Sequence, residues 1–187
     1  MRFVPTPAAG YAWFKASLFA LLGCNAAAYI YSGTLSEALD TAAWLVLLVL
    51  YELETDFGGR FREGRTGAAV RGVRLLAAAA VCAAAIGYAR NEEWLDAINS
   101  GLWIAVVILL EVEVRHPNAV ATSRRQFVGA VAALYAGLGA MVLTWIWRGE
   151  WFEAYDALLW LAALVVIEMN ILEGTLRKVR VVPPYVG

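Results

Sequence analysis

Charge, histidine and cysteine are all scarce in this chain, and each shortage narrows the class of protein to which it belongs. Only 17% of its 187 residues are charged while 61% are hydrophobic, which is too apolar for a soluble domain of this length. The two cysteines, Cys24 and Cys82, lie deep in apolar stretches, where a thiol is expected to act as a small packing residue. They therefore indicate neither a metal site nor a particular redox compartment.

Signatures of catalysis are also missing from the sequence. It contains no glycine-rich phosphate loop, no HExxH zinc motif and no GxSxG nucleophile elbow. Its one histidine, His116, follows Glu113 by three residues, but a di-iron site in a helical bundle needs two such Glu-x-x-His pairs. A non-enzymatic protein is therefore favoured, and a lipid-modifying membrane enzyme stays as an alternative that requires a polar cleft open to the side.

Apolar sequence is abundant, in six stretches of about 20 residues that are each long enough to cross a hydrocarbon layer roughly 30 Å thick. We predict transmembrane helices at 11–31, 37–56, 70–90, 93–114, 126–147 and 151–172. The links between them are too short for another folded unit. The predicted fold class is therefore all-α, a polytopic membrane protein with six transmembrane helices in a single transmembrane domain over residues 1–187.

The basic residues predict the orientation of these helices. Thirteen of the 15 Lys and Arg residues fall at one end of the predicted bundle, and only Arg90 and Arg148 fall at the other. By the positive-inside rule, the N and C termini are expected in the cytoplasm and the protein in the cell (inner) membrane. The formal net charge of −1 gives no indication of nucleic-acid binding.

An internal repeat divides the six predicted helices into three pairs. In each copy an acidic or amide residue is followed by Trp four positions later, by Glu eight positions after the Trp, and by Glu or Asn two positions further. The copies are Asp40/Trp44/Glu52/Glu54, Asn99/Trp103/Glu111/Glu113 and Asp156/Trp160/Glu168/Asn170, offset by 59 and then 57 residues. The pattern predicts three tandem parallel helix hairpins, at about 11–56, 70–114 and 126–172, with pseudo-threefold symmetry about an axis along the membrane normal.

The acids near the predicted cytoplasmic ends are the first candidate site. They lie in the last turns of their helices, where the helix dipole disfavours a carboxylate by about 0.3–1 kcal/mol, so their presence there needs an explanation. One hypothesis is a cation-binding ring, and the other is a set of ion pairs with nearby arginines. Because residues two apart on a helix point about 160° apart, the two acids of one copy are not expected to face the same narrow pore. The candidate cation-binding residues are Glu52, Glu54, Glu111, Glu113, Glu168 and Asn170.

A second candidate site lies at the opposite, outer ends of the helices, where a negative field concentrates cations. The predicted outer entrance consists of one residue from each copy, namely Asp40, Asn99 and Asp156. The candidate pocket-lining residues are the three tryptophans of the repeat, Trp44, Trp103 and Trp160. A structural interpretation competes with both, because first-turn acids are favoured by the helix dipole and bulky aromatics more often serve packing. Other aromatics near the outer ends are predicted to anchor the helices at the membrane interface, namely Tyr29, Tyr88 and Trp145.

Two functions from different classes are compatible with these patterns. The first is a small multi-pass transporter or channel-like protein that handles cations, with a divalent cation as the candidate cofactor. The second is a non-enzymatic assembly or scaffold subunit whose Arg-rich cytoplasmic loops bind a partner or anionic lipid. Membrane lipid is an expected partner in both cases, a cytoplasmic or membrane protein is the other candidate, and homo-oligomerisation stays open. The scaffold requires each Glu to contact Arg, with no polar cavity between the second, fourth and sixth helices.

Overall fold

The computed structural model describes residues 9–57 and 64–181, and these residues fold almost entirely into helices. The described helices are α1 (Ala9–Ser32), α2 (Leu35–Phe57), α3 (Gly64–Arg90), α4 (Trp94–Arg115), α5 (Pro117–Thr122), α6 (Arg124–Arg148) and α7 (Trp151–Val181). No strand occurs in the two described ranges, so the prediction of an all-α fold is confirmed. The six predicted stretches coincide with the six long helices, and the short α5 is not among the predictions.

Four of the described helices are long and apolar enough to cross a membrane, which supports a membrane protein. They are Trp13–Ser32 within α1, Gly64–Arg90 (α3), Trp94–Glu113 within α4 and Arg124–Arg148 (α6). α2 and α7 are of similar length, but α2 alone contains five acidic residues. Large apolar side chains such as Leu75 of α3 and Leu143 of α6 are mostly exposed. Such surfaces are costly in water and are expected against lipid.

The six long helices follow one another around a closed ring. Each packs against the long helix before it and the one after it, α1 completes the ring by packing against α7, and α5 contacts both α4 and α6. Thirteen of the 20 buried hydrophobic residues that the structure describes group into three clusters between the helices. The cluster that joins α1, α2 and α7 consists of Leu18, Leu22, Leu48, Ala163 and Val166. This cluster closes the ring between the first and last helices.

Glycine at two positions lets neighbouring helices approach closely. A Cβ at Gly87 of α3 would collide with the hydroxyl of Ser36 on α2. A Cβ at Gly137 of α6 would lie 3.2 Å from Leu102 of α4, which is tighter than ordinary van der Waals contact. Close backbone approach increases the dispersion contacts that hold helices together in lipid. Gly72 of α3, by contrast, does not serve this purpose, because no neighbouring atom lies within 4 Å of the place where its Cβ would be.

Tight turns join α3 to α4 and α6 to α7 at one end of the ring. In the α6–α7 turn Gly149 has a left-handed φ of 77°, and the N–H groups of Gly149 and Glu150 donate to the carbonyls of Ile146 and Trp145. In the α3–α4 turn Glu92 has a φ of 64°. A residue with a Cβ loses about 1–2 kcal/mol in this conformation, so Glu92 introduces local strain that Gly149 avoids.

The aromatic residues predicted to anchor the helices at the membrane interface are buried instead, so that prediction is wrong. They are Tyr29, Tyr88 and Trp145. The most exposed aromatic side chains at this end of the ring are Tyr31, Trp94, Trp147 and Trp151. Residues two apart on a helix point about 160° apart, which explains why Trp145 is 3% exposed and Trp147 is 89% exposed. The outward-facing aromatics have the amphipathic rings that favour a membrane interface.

Candidate functional site

A polar, partly enclosed cavity lies at the end of the ring where α2, α4 and α7 begin. The centres of water-sized molecules can occupy about 50 Å³ of it, which leaves room for several waters or one small ligand. We call it the acidic cavity, and its lining residues are Tyr29, Glu37, Asp40, Thr41, Tyr88, Asp96, Asn99, Trp103, Trp145, Glu153, Asp156, Ala157 and Trp160. All six long helices contribute to this set, so the cavity is formed by the whole ring and not by a single helix pair.

The acids of the cavity lie in two layers along the helices. The first layer consists of Glu37, Asp96 and Glu153. The second layer, three residues or about 4.5 Å further along each helix, consists of Asp40, Asn99 and Asp156. The structure thus brings together the three residues of the predicted outer entrance. The predicted site does not include the three acids of the first layer. They recur at the same offsets of 59 and 57 residues as the rest of the repeat, and this recurrence is the sequence signal that identifies them.

Asp40 is held from α4 and is incompletely hydrogen-bonded. The hydroxyl of Ser100 donates to Asp40 Oδ2 over 3.2 Å, and Ser100 is 1% exposed. The side chains of Trp44 and Tyr88 are the other donors near this carboxylate. Asp40 Oδ1 is buried and accepts no hydrogen bond from a residue in the described part of the chain. A buried oxygen without a partner costs about 1–3 kcal/mol, so a cationic or hydrogen-bonding ligand at this atom would be stabilised.

Two acids of α7 are positioned by α1. Asn25 Nδ2 donates to Asp156 Oδ1 over 2.9 Å, and the hydroxyl of Tyr29 donates to Glu153 Oε2 over 2.6 Å. The sequence prediction did not include Asn25 or Ser100. The available signal was that each is a polar residue inside an apolar stretch, where a buried polar side chain needs a partner. Asn25 and Asp156 are 131 residues apart in the chain, so the sequence pattern alone could not pair them.

The charge of the acidic cavity is of one sign. Five carboxylates line it, and the described lining residues include no Lys, Arg or His. The basic side chain of Arg148, at the same end of the ring, pairs with Glu150 at 2.9 Å between Nε and Oε1. A cleft lined by one sign of charge and bounded by apolar protein focuses the potential and raises the local concentration of counter-ions. An arrangement of this kind favours cations over anions.

The three tryptophans of the repeat meet at the centre of the ring. The ring centroids of Trp44 and Trp103 lie 6.2 Å apart at an interplanar angle of 59°, and those of Trp44 and Trp160 lie 6.4 Å apart at 61°. Tilted arrangements of this kind are favoured by the charge distribution of aromatic rings. Trp103 and Trp160 line the acidic cavity, whereas Trp44 packs against both of them. The tryptophans thus combine the two roles considered for them, lining and packing.

Three of the acids at the other end of α2 and α4 lie next to basic residues. Glu52 pairs with Lys15 of α1, and Glu54 pairs with Arg74 of α3 at 2.5 Å. Glu111 pairs with Arg115 of its own helix. The acids of α2 point to the two ring neighbours of that helix, as the 160° between residues two apart requires. The structure does not gather these described acids around a common cavity.

The remaining predicted site residues have separate surroundings. Glu113 is exposed and lines a second, largely apolar pocket between α4 and α6, next to Phe127. The side chains of Glu168 and Asn170 lie outside the described residues. His116 is exposed at the end of α4. Within the part of the chain that the structure describes, no three His, Cys, Asp or Glu side chains are grouped to hold a metal ion.

The two thiols do not pack in the interior. Cys24 and Cys82 are both free and exposed on their helices, so the expectation of buried packing residues is wrong for both.

No protein-family model matches the chain, and no curated protein or solved structure is significantly similar to it. The chemistry of the acidic cavity, with five carboxylates and five aromatic residues on six helices, is therefore the main indication of function.

Proposed function

We propose that the protein is a small multi-pass membrane protein that handles cations, as a transporter or channel-like protein, and that it binds them in the acidic cavity. The observation that carries the proposal is the convergence of five carboxylates, without a basic partner among the described lining residues, on one partly enclosed cavity. Acids buried in a membrane protein are expensive and usually serve ion binding or transfer. The unsatisfied Asp40 Oδ1 adds a buried oxygen available to a ligand.

The proposed architecture has six membrane spans. α2 and α7 carry more charge than the four apolar helices, but each packs in the ring between two of the long helices, and α2 lies between α1 and α3. Short turns between the helices of each pair keep them antiparallel and side by side. A closed ring of this kind is most simply accommodated if all six long helices cross together. Charges of α2 and α7 then face the centre of the ring or a neighbouring helix, where lipid does not reach them.

The lining of the cavity also supports three tandem repeats. Residues at offsets of 59 and 57 line it in three sets. The sets are Tyr29/Tyr88/Trp145, Glu37/Asp96/Glu153 and Asp40/Asn99/Asp156. Equivalent residues from three helix pairs surround a common axis only if the pairs are arranged about it with approximate threefold symmetry. We accordingly propose pseudo-threefold symmetry with the acidic cavity on its axis.

The basic residues orient this arrangement in the membrane. Seven of the nine Lys and Arg residues whose side chains the structure describes lie towards the end away from the acidic cavity. By the positive-inside rule, we then expect the N and C termini on the cytoplasmic side of a cell (inner) membrane and the cavity on the outer side. Outward-facing Trp94 and Trp151 begin α4 and α7, so the second-layer residues Asn99 and Asp156 lie only about 7.5 Å further along these helices than the aromatic residues. The cavity would thus be reached from the outer aqueous phase.

The acids at the cytoplasmic end have a structural role in this proposal. Glu52, Glu54 and Glu111 each pair with a basic side chain, which compensates the unfavourable interaction with the helix dipole. Two of these pairs join different helices and so fix α2 against both of its neighbours. The proposed function does not require a cation-binding ring at this end that includes Glu113, Glu168 and Asn170. Neutralising the cytoplasmic acids is expected to lower stability more than cation flux.

The test compares cation uptake into proteoliposomes by the parent protein and by variants of the two ends. The ions tested are potassium, magnesium and methylammonium. The Asp40→Asn and Asp156→Asn double variant keeps the shape of both side chains and removes their charge. It should therefore abolish uptake of the ion that the parent protein carries. Glu111→Gln is the matched control, because it removes one exposed carboxylate of the other end. Absence of uptake and binding by the parent for the whole panel would contradict the proposal, as would full activity of the double variant.

The scaffold function is a second candidate, because Glu54 and Glu111 contact arginines as it requires, whereas Glu52 contacts a lysine. It does not account for a polar cavity between α2, α4 and α7. A scaffold should retain its membrane partner in the Asp40→Asn and Asp156→Asn variant and should carry no ion in either form. Affinity purification of both forms from membranes, followed by the uptake assay, separates the two functions.

A further inference from the structure

Aromatic side chains contribute as many residues to the acidic cavity as carboxylates do. Five of the 13 lining residues are aromatic, namely Tyr29, Tyr88, Trp103, Trp145 and Trp160. Tyr29, Tyr88 and Trp145 are buried in the ring. Trp103 and Trp160 each pack against Trp44. The five rings are therefore packed against other parts of the protein, and they lie beside the acids in the wall of the cavity.

Donors of the protein already occupy part of the carboxylate oxygens. Asn25 donates to Asp156, Tyr29 donates to Glu153 and Ser100 donates to Asp40. Ca²⁺ takes about six to eight oxygen ligands and Mg²⁺ requires near-octahedral geometry, so either ion needs several oxygens at coordinating distance from one point. The described acids include no group of three with the spacing of a metal site. A bare divalent ion therefore lacks a matching set of ligands in this cavity.

An organic ammonium ion matches both the aromatic and the acidic residues. Its charge is partly covered by carbon groups, so it is attracted by aromatic ring faces, most strongly by Trp, and aromatic cages are the usual binding sites of quaternary ammonium groups. We infer that the acidic cavity binds a small organic ammonium ion, an alkylated amine or a quaternary ammonium group, with Trp103 and Trp160 as the adjacent rings and Asp40 and Asp156 as counter-charges. The inference rests on the proposed function and specifies the class of cation.

The test is calorimetric titration of the full chain in nanodiscs of zwitterionic lipid with tetramethylammonium chloride, potassium chloride and magnesium chloride. Tetramethylammonium should bind at least about tenfold more tightly than potassium, because only the organic ion gains from the desolvated ring faces. The Asp40→Asn and Asp156→Asn double variant should lose binding of both ions, since it removes the charge that the two share.

Variants of the aromatic residues separate ring contact from general stability. Trp103→Leu should weaken tetramethylammonium binding by about tenfold or more and potassium binding by much less, while Trp103→Phe should weaken tetramethylammonium binding less than Trp103→Leu does. Trp147→Leu is the matched control, because Trp147 faces outward and does not line the cavity. If Trp103→Leu does not fold, uniform incorporation of mono-, di- and trifluorinated tryptophan changes the ring charge with little change of shape. Tetramethylammonium affinity should then fall with each added fluorine.

The outcomes distinguish this inference from the proposed function. Equal binding of potassium and tetramethylammonium, with no effect of Trp103→Leu or of fluorination, overturns the organic-ammonium inference and leaves cation binding in place. Binding of magnesium at least as tight as that of tetramethylammonium also overturns it. Absence of binding for all three salts overturns the proposed function and the inference with it.

Discussion

Removal of the Lys15 ammonium group is a direct test of whether Glu52 is structural. The Glu52 side chain is 12% exposed and that of Lys15 is 24% exposed. Apart from this ion pair, neither Glu52 oxygen accepts a hydrogen bond from another described residue. Lys15→Met keeps most of the side-chain length and removes the charge. It would leave a buried carboxylate next to α1 without its compensating cation.

The expected loss of stability follows from the burial of the pair. Removing one partner of a buried ion pair costs about 3–5 kcal/mol, and the partial exposure of Lys15 favours the lower end, about 3 kcal/mol. For a chain of this length, that corresponds to a decrease in Tm of roughly 6–12 °C. The Lys15→Met and Glu52→Leu double variant should recover most of the loss, because a well-packed apolar pair is often as stable as the ion pair it replaces.

The measurement is thermal unfolding of purified variants in one detergent, with Arg115→Met as the matched control. Arg115 and Glu111 are 71% and 54% exposed and lie four residues apart on α4. An exposed pair of this type contributes about 0.3–0.5 kcal/mol, so the control should lower Tm by only about 1–2 °C. Equal effects of Lys15→Met and Arg115→Met would refute the reasoning, as would a double variant no more stable than Lys15→Met.

Three further changes test individual packing and hydrogen-bonding contacts by the same unfolding measurement. Glu92→Gly should raise stability by about 1 kcal/mol, because it relieves a left-handed backbone conformation, and an unchanged or lower Tm would argue against strain in that turn. Gly87→Ala should lower Tm, because the added methyl group would collide with Ser36 of α2. Gly72→Ala is the control and should raise Tm slightly, because the space around Gly72 is open. A change of Tm in the same direction for both variants would contradict the close approach of α3 and α2. Ser100→Ala should cost about 1–3 kcal/mol by removing a donor to Asp40, and a loss below about 0.5 kcal/mol would show that this hydrogen bond does not matter.

The two ends of α2 show how position along a helix separates two uses of acidic residues. At the end where α2 begins, Glu37 lies in the first turn, which the macrodipole stabilises, and Asp40 lies three residues further; both line a cavity without a basic residue in its described lining. At the other end, Glu52 and Glu54 oppose the dipole, and each pairs with a cation on a neighbouring helix. The first-turn acid is thus stabilised by its own helix, whereas the acids at the other end pair with cations of neighbouring helices.

The sequence by itself determined the helices and the level of each acid along them. Apolar stretches of membrane-spanning length predict α1, α2, α3, α4, α6 and α7 to within a few residues at most boundaries, because helical hydrogen bonds are local and depend on the sequence within each segment. The repeat offsets likewise placed Asp40, Asn99 and Asp156 at equivalent levels near the starts of their helices. These properties need no knowledge of which helices are neighbours.

Only the tertiary structure decided which side chains meet. The rotation of each helix and the order of helices around the ring place Trp145 inside and Trp147 outside, and turn Glu52 toward Lys15. Partners such as Asn25 and Asp156 are 131 residues apart, and no local pattern encodes such a contact. The physical reason is that a helix satisfies its own backbone in any rotation, so the packing of side chains between helices selects the rotation that the protein adopts.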